Sequence, residues 1–299
     1  MAKEEQPSIF FSNFSGTAAA SVKRPEYICS SKSGYSVLYR YDKEGKFRVL
    51  KALKAQFRGN PVYERLLRKE FEIGWELDHP NICKVYAFEN VQGLGNCIEM
   101  EYVDGCTLDD FVQSEFSDKG ALKRILCQTC DALAYIHHKQ IIHRDLKPQN
   151  ILVTHNGLNV KIIDFGLSDT DWHSVLKGSA GTREYAAPEL LERGEIDNRT
   201  DIYSLGKIML SMDRAYMAVA QKCTKVLPQD RYASAEEVKA AIIGARRPLF
   251  KVAVALSIIA LLAVVAVLLW KTAAPESMES TLDKIFIGVG EKIIEAQNH

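Results

Sequence analysis

Three strings restrict this chain more than anything else in it: His143-Arg-Asp-Leu-Lys-Pro-Gln-Asn150, then Asp164-Phe-Gly166, then Ala187-Pro-Glu189. Asp164 follows Asn150 by fourteen residues. Alone, any one of these strings is weak; an Asp-Leu-Lys triplet is an ordinary solvated turn. Together they put carboxylates and an amide along one short stretch of chain, and such groups are costly to bury without partners. Asp145 can accept a proton and orient a hydroxyl. Asn150 and Asp164 offer the hard oxygen ligands that Mg²⁺ prefers.

The rest of the chain frames these strings. At 299 residues it can bury a sizeable core. Its 38 basic and 38 acidic residues exclude a broadly basic nucleic-acid binder and a highly charged disordered chain. Seven scattered cysteines argue against a disulfide framework and fit a reducing compartment. Residues 1–26 lack a usable period and read as a flexible Ser/Thr-rich leader, without the apolar core of a signal peptide. Tyr35–Tyr41 and Phe47–Leu53 are strand-like runs around a turn at Asp42-Lys-Glu-Gly45. Residues 61–77 turn helical, with Leu66, Leu67, Phe71, Ile73 and Leu77 apolar. Strands return at 82–103, and helix dominates beyond Leu108 except at 151–163. The fold class is α+β, a small β-rich part before a larger α-rich one.

Val252–Trp270 carries no charge and one polar residue, Ser257. At 1.5 Å per residue it spans roughly 28 Å, close to the ~30 Å core of a bilayer. Basic residues precede it and Trp270-Lys271 close it. The expectation is one C-terminal transmembrane helix over 252–270, a basic juxtamembrane linker at 244–251 and a short tail at 271–299.

In this order and at these spacings, the strings resemble the signature set of the eukaryotic-like serine/threonine protein kinase family, over residues 27–243. A short kinase with one membrane span resembles bacterial membrane-anchored signalling kinases more than animal receptors. The resemblance implies a bilobal protein kinase fold: an N-lobe (27–100) with one main helix, a hinge (101–105) and a helical C-lobe (106–243). It implies transfer of the ATP γ-phosphate to Ser/Thr hydroxyls of proteins, with Mg²⁺ or Mn²⁺. That chemistry needs a phosphate clamp, metal ligands and a proton acceptor. In the family Asp145 is the catalytic base, Lys147 contacts the transferred phosphate, and Asn150 and Asp164 hold the metal. Val49-Leu-Lys51 resembles the strand whose lysine holds the α- and β-phosphates. Glu70, on the helix running into His79-Pro-Asn-Ile82, is its ion-pair partner. Met100-Glu-Tyr-Val103 resembles the hinge, with Met100 as gatekeeper and backbone groups of Glu101 and Val103 meeting adenine; Leu38 joins the nucleotide-binding set. Phe165 and Gly166 complete the metal-binding string. Thr182 positions substrate, Glu189 pairs with Arg231, Asp201 braces the catalytic loop, and Arg144 binds a phosphorylated residue of the 164–189 segment.

Three departures stand out. The family's phosphate-covering glycines fall at Ser31, Ser33 and Ser36, whose hydroxyls can still donate to phosphate while their φ angles are restricted. Gly74 replaces a large apolar residue one turn after Glu70, which predicts an easily displaced helix with Trp75 filling the gap. Arg231 follows Asp201 by only thirty positions, about half the interval the resemblance implies, and the expectation is a missing docking helix and an unusual substrate choice. Cys127-Gln-Thr-Cys130 reads as a buried helix face, and His137-His138 as helix-end residues.

Nucleotide is cytosolic, so the positive-inside rule places residues 1–251 in the cytoplasm and the tail outside the membrane. The expected partners are protein substrates, the membrane and a second copy held through the tail, with no nucleic acid. The alternative is a nucleotide-binding pseudokinase or scaffold. Lys51, Asp145, Asn150 and Asp164 together favour the enzyme; the serine-substituted loop leans the other way.

Overall fold

A computed structural model describes residues 25–30, 34–165, 183–192, 194–212, 216–244 and 248–273, with side chains in the last stretch from 256 to 269. Most of the leader, Ser31, Ser33, Gly166, Thr182 and the tail beyond 273 lie outside the described residues.

The first lobe is an antiparallel sheet of β1 (Glu26–Ser30), β2 (Ser36–Lys43), β3 (Lys46–Leu53), β4 (Val85–Val91) and β5 (Gly95–Glu101). The strand order is β1-β2-β3-β5-β4, which puts β3 at the centre. Glu44 and Gly45 join β2 to β3 with φ of 54° and 76°, the mirror-image turn that matches strand twist. Central β3 is buried on both faces. Leu50 and Ala52 pack with Val37 and Cys97 on one side, and Leu53 packs with Ile98 on the other. That second side is covered by α1 (Pro61–Trp75), through Leu66 and Leu67. Asn60 caps α1 by accepting the Val62 N–H at 3.0 Å, with Pro61 at the first helical position.

The second lobe has a small sheet, β6 (Gly105–Thr107), β7 (Ile151–Thr154) and β8 (Val160–Ile162), ordered β6-β7-β8. Around it lie α2 (Leu108–Val112), α3 (Lys119–His138), α4 (Pro188–Glu192), α5 (Asn198–Met212), α6 (Met217–Cys223) and α7 (Ala235–Gly244). Ile125, Leu126, Leu133 and Ile136 recur at helical spacing on α3 and share one core with Ile202 and Leu205 of α5 and Val238 of α7. Cys130 is buried on this face and Cys127 is half-buried.

A separate unit, residues 246–299, contains α8 (Pro248–Ala273). The expected membrane span at 252–270 falls within it and does not stand: no helix among the described residues is long and apolar enough to cross a membrane. The transmembrane element therefore drops out of the fold class. The two-sided placement of the chain and the membrane as a partner rested on that span and fall with it.

Candidate active site

Lys51 stands on the central strand, opposite Leu38 on β2 and Ile98 on β5, so the three share one face. It is 4% exposed, and its Nζ donates to Glu70 Oε1 and to Asp164 Oδ1. Burial lowers the Lys51 pKa, but the charges of Asp164 and Glu70 outweigh it and hold the ammonium above the usual lysine range. Burial likewise pushes Asp164 up, and Lys51 outweighs it to hold that carboxyl below its ordinary value. For Glu70, burial wins and the carboxyl is raised. Asp164 has φ of 66° and Arg144 φ of 65°, left-handed conformations that surrounding structure must hold in place.

The loop between α3 and β7 gathers the next group. Lys147 Nζ donates to Asp145 Oδ2 at 2.7 Å. Asn150 Nδ2 donates to the Asp145 carbonyl at 2.8 Å and to Asp145 Oδ2 at 3.1 Å, which leaves the Asn150 amide oxygen for another partner. Asp145 Oδ1 is buried with no hydrogen-bond partner among the described residues. The loop backbone hangs on Asp201, which is wholly buried and accepts the His143 N–H at 2.8 Å and the Arg144 N–H at 2.9 Å. His137, read from sequence as a helix-end residue, adds a third contact to Asp201 at 2.9 Å. Burial pushes the Asp201 carboxyl up, but these hydrogen bonds and the neighbouring histidines outweigh it. His143 Nε2 donates to the Ile163 carbonyl at 3.0 Å, and its ring lies 5.0 Å from that of Phe165.

At the hinge, Met100 sits between Val49 and Val85 in the sheet. Glu101 is anchored through both its backbone and its carboxylate. Its N–H donates to the Lys84 carbonyl at 2.8 Å, and its carbonyl accepts the Cys83 thiol at 3.6 Å. Its carboxylate accepts the Lys84 N–H at 3.1 Å and Lys161 Nζ at 2.8 Å. Val103, in the segment that follows, is half-buried, as is Ser36 at the start of β2. Cys83, Lys84 and Lys161 carry no motif, so sequence reasoning missed them. The position of Lys161, three residues before Asp164 on a strand-like run, was the one available signal.

Behind α4, Glu189 and Arg231 form a bidentate pair at 2.7 and 2.8 Å, and Thr200 Oγ1 donates to Glu189 at 2.9 Å. Trp75 does not fill a gap beside Gly74: it is 55% exposed, with its ring 5.7 Å from that of Phe71.

A family model for the protein kinase domain matches residues 27–243. The chain is 36% identical over 194 residues to a probable serine/threonine-protein kinase of Clostridium perfringens, CPE1738, covering 62% of this chain and 27% of that one. It is 37% identical over 172 residues to the serine/threonine-protein kinase PknB of Mycolicibacterium smegmatis, covering 54% and 27%. It is 34% identical over 173 residues to PrkC of Bacillus subtilis, covering 55% and 26%. The chain thus spans about a quarter of the length of these curated relatives. The solved PknI kinase domain of Mycobacterium tuberculosis shares the fold, with a TM-score of 0.60 at 23% identity, over 78% of this chain and 99% of that one. The chain belongs to the protein kinase family, and its relatives are eukaryotic-like serine/threonine kinases of bacteria.

Proposed function

We propose that this protein is a serine/threonine protein kinase, which transfers the γ-phosphoryl group of ATP to hydroxyls of protein substrates and of its own chain. One observation carries the reading: ion pairs join buried Lys51 to Glu70 and Asp164, while one carboxylate oxygen of Asp145 has no partner among the described residues. In this reading Lys51, steadied by Glu70, holds the α- and β-phosphates. The Glu101 carbonyl and Val103 backbone take the adenine edge, with Leu38 against its face. Asp145 accepts the proton of the attacking hydroxyl as its oxygen bonds to the γ-phosphorus. The bond from that phosphorus to the β–γ bridging oxygen breaks, and ADP leaves. Lys147 balances charge on the phosphoryl group in transit.

The two oxygen donors, the Asn150 amide and the Asp164 carboxylate, fit Mg²⁺ or Mn²⁺, since Mg²⁺ commonly takes one or two protein oxygens beside phosphates. When bound, the cation neutralises phosphate charge. Lys147 two residues after Asp145, with serine/threonine kinases as relatives, supports Ser/Thr over Tyr as acceptor. The test is transfer from γ-labelled ATP by the full chain, beside Asp145→Asn and Lys51→Met, followed by phosphoamino-acid analysis. Labelled phosphoserine or phosphothreonine is expected from the wild type alone. Nucleotide binding with no transfer above Asp145→Asn would overturn the proposal in favour of a scaffold.

A further inference from the structure

Helix α1 carries Gly74 one turn beyond Glu70 and on the same face. Glycine is a poor residue for a helix interior, so propensity alone favours almost anything else there. The packing explains why nothing else is present. A Cβ at 74 would lie 2.6 Å from Cγ2 of Val85 and 3.5 Å from its Cβ. Ordinary carbon–carbon contact is about 3.5–4.0 Å, so a single added methyl forces about 1 Å of separation. Val85 has little freedom to give way. It is β-branched, 7% exposed, and paired with Met100 at the start of β4. The space beside it is a small cavity lined by Glu70, Gly74, Val85, Met100, Asp164 and Phe165. Val85 is fixed in the sheet by its pairing with Met100, whereas α1 ends one residue beyond Gly74, so the yielding element is the helix end, which carries Glu70.

We propose that Gly74 is a positioning residue: its missing side chain lets α1 seat against Val85, and that contact holds Glu70 on Lys51. At Gly74 itself helix and strand touch directly, with Val85 Cγ2 standing where a side chain at 74 would have to go. The helix is thus tightly registered at this point, contrary to the expectation of easy displacement. The inference rests on the kinase reading.

The experiment measures kcat and ATP KM on the full chain for Gly74→Ala, Glu70→Gln and Gly74→Ala/Glu70→Gln, and for Gly74→Ala/Val85→Ala. Gly74→Ala is expected to lower kcat about tenfold or more, since a 1 Å misplacement near a reacting centre has effects of that order. Val85→Ala in the same chain should restore most of the loss. On the Glu70→Gln background Gly74→Ala should cost less than about twofold, because the group it displaces is already silenced. Full activity of Gly74→Ala, an equal loss on both backgrounds, or no restoration by Val85→Ala would each overturn the proposal. If Gly74→Ala does not fold, Val85→Ile crowds the same contact from the other side, and unchanged kcat there would overturn it. Hydrogen exchange over 61–75 separates this proposal from the kinase reading. Exchange should quicken in Gly74→Ala and return with Val85→Ala even if the wild type transfers no phosphate; unchanged exchange would count against the contact itself.

Discussion

Arg231 is 4% exposed and spends all five of its N–H groups on protein acceptors. Two go to Glu189 at 2.7 and 2.8 Å; the others go to the carbonyls of Arg199, Lys225 and Val226 at 2.9, 2.8 and 2.9 Å. Arg231→Ala removes every one. Breaking a buried ion pair by deleting one partner costs about 3–5 kcal/mol, because the remaining charge stays buried. Orphaned carbonyls cost about 1–3 kcal/mol each when dry. Val226 is 69% exposed, so water reaches that loop and the carbonyls there add little. The expected loss is about 4–6 kcal/mol, comparable with the ~5–15 kcal/mol that holds an ordinary domain together. Arg231→Lys keeps the charge without the fork and should lose about 1–2 kcal/mol, a fall of roughly 2–8 °C in Tm. The pH dependence identifies the partner. Burial pushes the Glu189 carboxyl up, but Arg231, its own backbone N–H and Thr200 outweigh it, so its folded pKa lies below 4.5. The pair's stabilisation is present above the unfolded value of 4.5 and is lost as pH falls through the folded one. Urea denaturation followed by tryptophan fluorescence, at neutral pH and again well below 4, should show a large penalty for Arg231→Ala that shrinks in acid. An unchanged midpoint at neutral pH, or a penalty equal at both, would refute this account.

Three other perturbations follow from the same geometry. Burial raises the Glu70 carboxyl from 4.5 to about 7, so between these values the folded chain holds a proton that the unfolded chain has released. Stability should then fall as pH rises through that window, and Glu70→Gln should flatten the slope in a pH series of thermal midpoints. Glu101→Gln and Lys161→Met each break a partly buried 2.8 Å pair at the hinge, and each should raise ATP KM about fivefold, equivalent to ~1 kcal/mol. The charge-swapped double variant should recover part of that, and steady-state kinetics would show otherwise if KM stayed level. His137→Ala strips one of three contacts from the buried Asp201 and should cost about 1–3 kcal/mol. It should also lower kcat with little change in ATP KM, since the catalytic loop hangs on that carboxylate; a KM effect with kcat intact would contradict the assignment.

The parts legible in the sequence share a physical cause. In the proposed reaction Asp145, Asn150, Asp164 and Lys51 do chemistry that tolerates few other side chains, so the residue types themselves carry the signal. The hairpin at Glu44-Gly45 and the α1 cap at Asn60-Pro61 are local, fixed by neighbours within a few residues. Residues acting through distant partners gave no such signal. His137 reaches Asp201 across 64 positions and Lys161 reaches Glu101 across 60, and nothing in the local pattern of either predicts its partner. The apolar run at 252–270 misled in the other direction. Length and hydropathy say what a segment would tolerate, and they leave open the surroundings it meets.

Between Asp201 and Arg231 one small residue sets how closely two helices pack. Here α5 presents Gly206 to α6, where an added Cβ would lie 2.5 Å from the Cys223 Cβ and 2.9 Å from Thr224 Cγ2. The two helices can therefore cross almost backbone to side chain. Cys223 and Thr224 end α6, and the chain needs only the short turn at Pro228–Asp230 before Arg231. Gly206 was legible only as the last letter of Asp-Ile-Tyr-Ser-Leu-Gly. As at Gly74, a missing side chain lets two elements approach closely, and the chain runs on from this contact to Arg231. On that logic Gly206→Ala should loosen the Glu189–Arg231 pair and lower the thermal midpoint. A substitution to Ala at exposed Gly45, whose Cβ position is open, should act only through its turn.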